Sequence, residues 1–298
     1  MTFSIRPRRS VLYMPGSNAR ALEKAKSLDA DALILDLEDA VAPDAKELAR
    51  EQVCAAVKAG GYGRREIIIR VNGPESPWGK ADMEAACAAS PDGILVPKVS
   101  SSDDIASAAG AMNGAGAGGD VQLWAMMETP LAMLNAGEIA GCANDAGSRL
   151  SCLVMGTNDL AKETGAQLGH GRFAMLAWLS ICVAAARAHG IDIVDGVSND
   201  FRDEKGFAGE CAQGAALGMN GKTLIHPAQI GPCNDAFSPA DDEIAYSRKI
   251  IAAFELPENQ GKGVITVDGK MTELLHAEIA KRTVAIADAI AANKEAAE

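Results

Sequence analysis

Leu33-Ile34-Leu35-Asp36-Leu37-Glu38-Asp39 is a short apolar run that ends in carboxylates. Trp124-Ala125-Met126-Met127-Glu128 and Leu153-Val154-Met155-Gly156-Thr157-Asn158-Asp159 repeat the pattern. Runs this short and this apolar read as strands buried on both faces, as in parallel sheets. The C-terminal ends of such strands are where parallel α/β folds place their chemistry. Several carboxylates converging there, with few other charges nearby in sequence, need a cation to neutralise them. That requirement points to a hard divalent metal.

Outward from these runs, eight strands are predicted: Ser10–Met14, Ala32–Leu37, Glu66–Val71, Gly93–Pro97, Gln122–Glu128, Ser151–Met155, Ile191–Asp195 and Lys222–His226. Between them, Ala19–Ser27, Lys46–Ala59, Met83–Ala88 and Arg172–Ala188 carry the 3.6-residue Ala/Leu period of helices. Strict β–α alternation implies a parallel sheet with right-handed crossovers. Eight repeats fit a closed (β/α)8 TIM barrel, typically about 250 residues, better than an open sheet. The GAGAGG in Gly110–Asp120 follows no strand in the right register, so it reads as a flexible surface connection and not a phosphate loop. Asn135–Ser148, beside the expected metal, has room for a short helix.

After the eighth strand the pattern changes, which divides the 298-residue chain into a barrel, 1–235, and a C-terminal helical extension, 236–298. Asp241–Phe254 reads as a helix, Leu256–Lys270 as a glycine-containing connection and Met271–Lys294 as a long Ala-rich helix. Leu275, Ile279, Ile286 and Ile290 can line an apolar stripe on the last helix. Three roles suit it: a lid, an element docked on a neighbouring subunit, or a plain closing helix of the barrel.

Hydrophobic residues make up 48% of the chain and aromatic ones only 4%, so a large core built by close Ala and Gly packing is expected. The net charge of −12 argues against nucleic acid and anionic membranes as partners, while leaving room for a local basic pocket. Seven scattered cysteines without a CxxC pair suggest reduced thiols and a cytoplasmic location. No signal-peptide core precedes residue 30, and no apolar stretch approaches the roughly 18 residues of a membrane span.

Glu128 and Asp159 end adjacent strands, so their carboxylates can meet over the barrel mouth as metal ligands. Mg²⁺, with Mn²⁺ as its substitute, takes one or two carboxylates and keeps water or substrate in its other positions. Arg70 carries its charge inside an otherwise apolar strand. It reads both as an ion-pair partner of Glu38 or Asp39 and as a planar fork for a substrate carboxylate or alkoxide. Glu38 and Asp39 are expected behind the metal, holding its waters or orienting Arg70, and Asp36 is expected to point into the barrel or pair structurally. Tyr13-Met14-Pro15-Gly16 closes the first strand, Ser17 and Asn18 are helix-cap candidates, and Arg20 and Lys24 share one face at i,i+4 spacing. His226, in Ile225-His226-Pro227, has no histidine at ligand spacing and reads as a backbone-bonded residue or a substrate contact.

RSVLYMPGSNAR, LILDLEDAV, IIIRVNG, ILVPKV, AMMETP, MGTNDLA and GKTLIHPAQI occur in that order. The set, from about Arg9 to Met271, resembles the citrate lyase β-subunit-like family, which includes malyl-CoA and citramalyl-CoA lyases. The resemblance implies a Mg²⁺-dependent C–C lyase that cleaves a 3-hydroxyacyl-CoA thioester to an acyl-CoA and a 2-keto acid. It also implies a homotrimer or homohexamer with an exchanged C-terminal segment. It places the metal on Glu128 and Asp159, the substrate grip on Arg70 and the phosphates of coenzyme A on Arg20 and Lys24, with Tyr13 and Lys98 as further contacts. Related lyases carry an aspartate two residues after the methionine of a segment like Asp268-Gly269-Lys270-Met271-Thr272-Glu273, and it exchanges the α-carbon proton across a subunit interface. Here the position holds Glu273, which reads as the same acid–base group on a longer arm or as a first-turn charge favouring the helix dipole, with Asp268 as a fallback. Malyl, methylmalyl and citramalyl thioesters differ by a methyl group, worth roughly 1–3 kcal/mol in a pocket, so the substrate stays open. The competing functions are a malyl-CoA thioesterase, a CoA-free aldolase and a non-catalytic CoA-binding or assembly subunit.

Overall fold

The computed structural model describes residues 5–295. Its eight parallel strands are β1 Ser10–Pro15, β2 Ala32–Asp36, β3 Glu66–Arg70, β4 Gly93–Val96, β5 Gln122–Met127, β6 Leu150–Met155, β7 Asp192–Asp195 and β8 Gly221–Leu224. They pair in chain order and close into a barrel, β8 returning to β1 through Ser10↔Lys222 and Val11↔Thr223. All eight predicted strands are present, with ends shifted by a residue or two. The two faces of these runs become two apolar layers. Val11, Ile34, Ile68, Leu95, Trp124, Val154 and Val194 fill the barrel interior, while Leu33, Leu35, Ile67, Ile69 and Leu153 pack outward against the helices. Because side chains alternate, each strand fixes which of its later residues face inward at the mouth.

The compact unit that contains the barrel runs from Arg8 to Phe237. Within it the glycine-rich stretch is more ordered than its composition suggests. A helix spans Ser102–Gly114, opened by a Ser101/Asp104 capping box and held by buried Ile105, Ala108, Ala109 and Met112, so only residues 115–120 form the connection. Asn135–Ser148 does include a short helix, Ala136–Gly141. The segment Gly171–Ala188 corrects the expectation about membrane-length stretches, since these 18 residues reach a mean hydropathy of 1.3. They serve as barrel covering: after a break at Gly171, with φ 76°, the helix Leu176–Ala188 buries Leu179, Cys182, Val183, Ala185 and Ala186. All seven cysteines are free thiols.

The second unit holds Ser238 onward together with residues 5–7. Its helix Asp241–Glu255 is followed by an antiparallel hairpin, β9 Val264–Val267 and β10 Lys270–Glu273, where the sequence suggested only a connection. Asp268 and Gly269, with φ 47° and 78°, make the two-residue turn. The last helix therefore starts at Leu274, and Glu273 ends a strand instead of lying in a first helical turn. The expected apolar stripe holds only toward its end: Ile290 is buried and Ile286 half-buried, whereas Leu275 and Ile279 are exposed and Ala277, Ala280 and Thr283 are buried in their place. Small residues face inward here because Ile250, Ile265 and Val267 supply the bulk of this unit's core.

Candidate active site

The inward parity that puts Ile34, Ile68 and Trp124 in the barrel interior carries Asp36, Arg70 and Glu128 to its upper layer. Asp36 and Arg70 are register partners at the ends of β2 and β3. Arg70 grips Asp36 through Nε at 2.7 Å and Nη2 at 2.6 Å, and its Nη1 lies 3.0 Å from Glu38 and 3.3 Å from Asp39. The guanidinium carbon stands 4.9 Å from the centre of the Tyr13 ring. Burial alone would lower the Arg70 pKa, but Tyr13, Asp36 and Glu38 hold it well above the ordinary value. The expected pairing with Glu38 and Asp39 exists, yet the fork itself belongs to Asp36. Arg70 thus offers a ligand a fixed positive charge and no free bidentate fork.

Asp36 does more than neutralise Arg70. Its two oxygens also accept the N–H groups of Glu38 at 2.9 Å and Ala40 at 3.0 Å, which shapes the loop after β2. Lys46, a residue the sequence did not single out, supports the same loop from below. Its buried Nζ donates to the carbonyls of Leu37 and Glu38 and to Asn72 Oδ1, all within 2.8 Å. Burial lowers its pKa.

Glu128 follows β5 and Asp159 lies in the first turn of the helix Thr157–Thr164 after β6. Glu128 Oε1 accepts the Lys98 N–H at 2.8 Å, and the Lys98 ammonium sits 3.0 Å from Asp159 and 3.9 Å from Glu128. Lys98 adopts φ 55°, a left-handed conformation that is uncommon outside glycine and concentrated at functional positions. Burial pushes the Glu128 carboxyl up to about 7, with Lys98 opposing and Asp159 adding to the rise. Gly156 completes the arrangement, because a Cβ there would run into Glu128 Cβ and lie 2.7 Å from its Oε2.

Two carboxylates with an ammonium between them are a place already shaped for positive charge. The donor set is hard oxygen and fits Mg²⁺, which needs only one or two carboxylates. Among the described residues no cluster of three or more Asp, Glu, His or Cys side chains forms a closed metal cage.

These residues surround a mouth cavity of about 310 Å³ lined by Tyr13, Asp36, Asp39, Arg70, Glu128 and Asp159 among others. Asn158 and Asn199 also line it and exchange side-chain hydrogen bonds at 3.0 and 2.8 Å, a contact between the helix after β6 and the loop after β7 that no local sequence pattern signals. Arg20 and Lys24 are exposed on the helix Ala19–Ala25. His226 caps the turn Pro227–Gln229, accepting the Ala228 N–H through Nδ1 at 3.1 Å, and it stacks on Phe201. In the C-terminal unit, the Glu273 N–H donates to His276 Nδ1 at 3.0 Å, and Asp268 pairs with Lys249 at 2.9 Å.

The HpcH/HpaI aldolase/citrate lyase family profile matches residues 9–227. The chain belongs to this family. The matched span holds every residue just described except Ala228, Gln229, Lys249, Asp268, Glu273 and His276. A (3S)-malyl-CoA thioesterase of Cereibacter sphaeroides is 52% identical over 292 residues, covering 98% of this chain and 99% of its own. Citrate lyase subunit beta of Escherichia coli is 34% identical and covers 90% of this chain and 89% of its own. Among solved structures, the protein CitE from Mycobacterium tuberculosis in complex with magnesium, acetoacetate and coenzyme A superposes with a TM-score of 0.72 at 26% identity, covering 94% and 99% of the two chains.

The expectation of a C–C lyase is corrected by these relatives. At 52% identity over the whole length the name is thioesterase, and a lyase name stands at 34%. Motifs of the barrel mouth could not separate the two, because both names occur among relatives of the same chain.

Proposed function

We propose that this enzyme hydrolyses the thioester of a short hydroxyacyl-CoA, with (3S)-malyl-CoA as its substrate. The observation that carries the reading is the full-length likeness to a (3S)-malyl-CoA thioesterase. The geometry of the mouth supports it. Glu128 and Asp159 would hold Mg²⁺, which when bound supplies a Lewis acid for the oxygens of the acyl group. Arg70, fixed by Asp36 and backed by Tyr13, would attract the free carboxylate of the malyl chain by charge. Lys98, which pairs with Asp159 at 3.0 Å, would be a second cation beside the acyl group. The exposed Arg20 and Lys24 would meet the phosphates of coenzyme A.

Hydrolysis differs from cleavage in what it asks of the protein. Water attacks the thioester carbonyl carbon and the thiol leaves, so no proton has to be returned to Cα. The role for which Glu273 was expected is therefore not required. The homotrimer or homohexamer that the family resemblance implies is a further part of this reading, which light scattering would test.

The deciding assay follows free thiol, acetyl-CoA and glyoxylate together after (3S)-malyl-CoA is added, with Mg²⁺ and with EDTA. Free CoA with malate, in the absence of glyoxylate, is the expected result. Acetyl-CoA with glyoxylate would refute the proposal.

A further inference from the structure

A second cavity, about 810 Å³, opens between the helices Gly79–Ala89 and Ser102–Gly114. Glu38 and Lys98 belong to its wall, and both reach residues of the mouth cavity. Glu38 Oε2 lies 3.0 Å from Arg70 Nη1, and Lys98 Nζ lies on Asp159. These two side chains line the side cavity and touch Arg70 and Asp159, which line the mouth.

The carboxylates around Arg70 and Lys98 differ in how much of their capacity is taken. Both oxygens of Asp36 are occupied by the Arg70 fork and by two backbone N–H groups. Glu128 and Asp159 face Lys98. Asp39 is 69% exposed and hangs from Arg70 at 3.3 Å. Glu38 is different: its Oε2 is buried and makes no hydrogen bond, since Arg70 Nη1 is close but poorly aimed. That oxygen is turned to the Arg70 guanidinium, while the residue lines the side cavity. The backbone of Glu38 is pinned at both ends, its N–H by Asp36 and its carbonyl by Lys46 at 2.7 Å. Its carboxylate is thereby held in place beside the Arg70 charge.

We propose that Glu38 is the general base of the hydrolysis, holding a water that enters through the side cavity and deprotonating it as it attacks the thioester carbonyl in the mouth. The assignment rests on the thioesterase reading. The water oxygen forms a bond to the carbonyl carbon while its proton passes to Glu38. The tetrahedral intermediate then breaks the C–S bond, and Glu38 returns the proton to the departing thiolate. The sum is thioester plus water giving carboxylic acid plus thiol, with Glu38 unchanged. Burial pushes the Glu38 carboxyl up to about 8, Arg70 opposing and Asp39, Glu128 and Asp36 adding, which matches a base working near neutral pH. The other charged and titratable groups around it are Tyr13, Lys98 and, on the backbone side, Lys46.

The test uses the full-length protein with (3S)-malyl-CoA, wild type against Glu38→Gln and Glu38→Ala. Glu38→Gln keeps size and an oxygen toward Arg70 but cannot take a proton. It is expected to lower kcat by about 10²–10⁴-fold with little change in KM, and to lack the rise of rate toward about pH 8 expected of wild type. Added formate is expected to restore part of the rate of Glu38→Ala. A merely positioning role predicts the opposite set: Glu38→Gln near wild type in kcat or altered in KM, and no rescue by formate. A Glu38→Gln kcat within threefold of wild type overturns the proposal, provided that wild type hydrolyses the thioester. A wild type that releases glyoxylate, or nothing, refutes the thioesterase reading itself and removes the base with it. Thermal melts and CoA affinity of both variants separate loss of chemistry from loss of fold.

Discussion

Arg70 and Asp36 face each other across β2 and β3 as register partners, joined by two hydrogen bonds of 2.7 and 2.6 Å. The pair is buried, and removing one partner leaves the other charge without compensation. Breaking such a pair typically costs about 3–5 kcal/mol. Asp36→Asn is accordingly expected to lower the melting temperature clearly and to abolish hydrolysis, because the guanidinium loses its orientation. Arg70→Lys keeps the charge and drops the fork, so it should lose at least about a hundredfold in kcat. Denaturant unfolding and steady-state kinetics on both variants check this, and an Arg70→Lys enzyme of wild-type rate would show that charge alone suffices.

Lys98 occupies the place between Glu128 and Asp159 that a divalent cation would take. Lys98→Met should therefore act in two directions. Without metal, the two carboxylates repel and the melting temperature falls. With Mg²⁺, the internal competitor is gone and affinity should rise by about tenfold, equivalent to about 1.4 kcal/mol. Titration calorimetry and melts with and without EDTA measure the two effects separately, and unchanged Mg²⁺ affinity would show that the metal binds elsewhere.

How far the site could be read in advance depended on what each residue signals locally. The β–α alternation and the carboxylates at strand ends were legible because period-two burial leaves its mark in a single run, and Asp36, Arg70 and Glu128 follow from it. Lys46 was not legible: it looks like an ordinary helix-start lysine, and its buried bonds to Leu37, Glu38 and Asn72 depend on the tertiary approach of two loops. Asn158 and Asn199 likewise meet only through the tertiary approach of a helix start and a loop. The hairpin at Val264–Glu273 was legible and overlooked. Val-Ile-Thr-Val-Asp-Gly-Lys-Met-Thr-Glu carries the Asp-Gly turn signal between two alternating segments, but the glycines suggested a tether. Thioesterase against lyase could not be decided from the motifs, since both share them.

Glu38 gives the stability a definite pH dependence. In the unfolded chain its carboxyl loses its proton near pH 4.3, whereas in the fold burial holds the proton up to about 8. Between these values the native state binds more protons than the unfolded state, so the unfolding free energy falls as pH rises through this window. The contribution is complete below about pH 4.3 and spent above about pH 8. Glu38→Gln removes the titration. Melts in metal-free buffer from pH 5 to pH 9 should show the variant gaining on wild type as pH rises, and parallel curves would contradict the buried, protonated carboxyl.

Gly156 is where β6 leaves room for Glu128. Gly156→Ala places a methyl group against the Glu128 side chain and should cost about 1–3 kcal/mol through overpacking. If Glu128 holds the metal as proposed, the same displacement should lower Mg²⁺ affinity by about tenfold or more. Calorimetric titration together with a melt tests both, and a variant with native Mg²⁺ affinity would separate Glu128 from the metal.

Glu273 distinguishes the two chemistries from the other end of the chain. It ends β10, its N–H is held by His276 Nδ1, and its carboxylate belongs to a partly exposed residue. In a cleavage reaction an acid at this position would deliver a proton to the enolate carbon, and replacing it would stop turnover. In hydrolysis no carbon is protonated, and the proton of the attacking water goes to the departing sulfur. Glu273→Gln is therefore expected to retain hydrolysis within about threefold of wild type and to melt at the same temperature, whereas Glu38→Gln loses the reaction. Incubating wild type with (3S)-malyl-CoA in D₂O sharpens the comparison. Malate formed by direct attack on the carbonyl should carry no deuterium at C3, while a reversible passage through the enolate would label it. Deuterium at C3 that disappears in Glu273→Gln would assign Glu273 to proton exchange at carbon and place an enolate on the path.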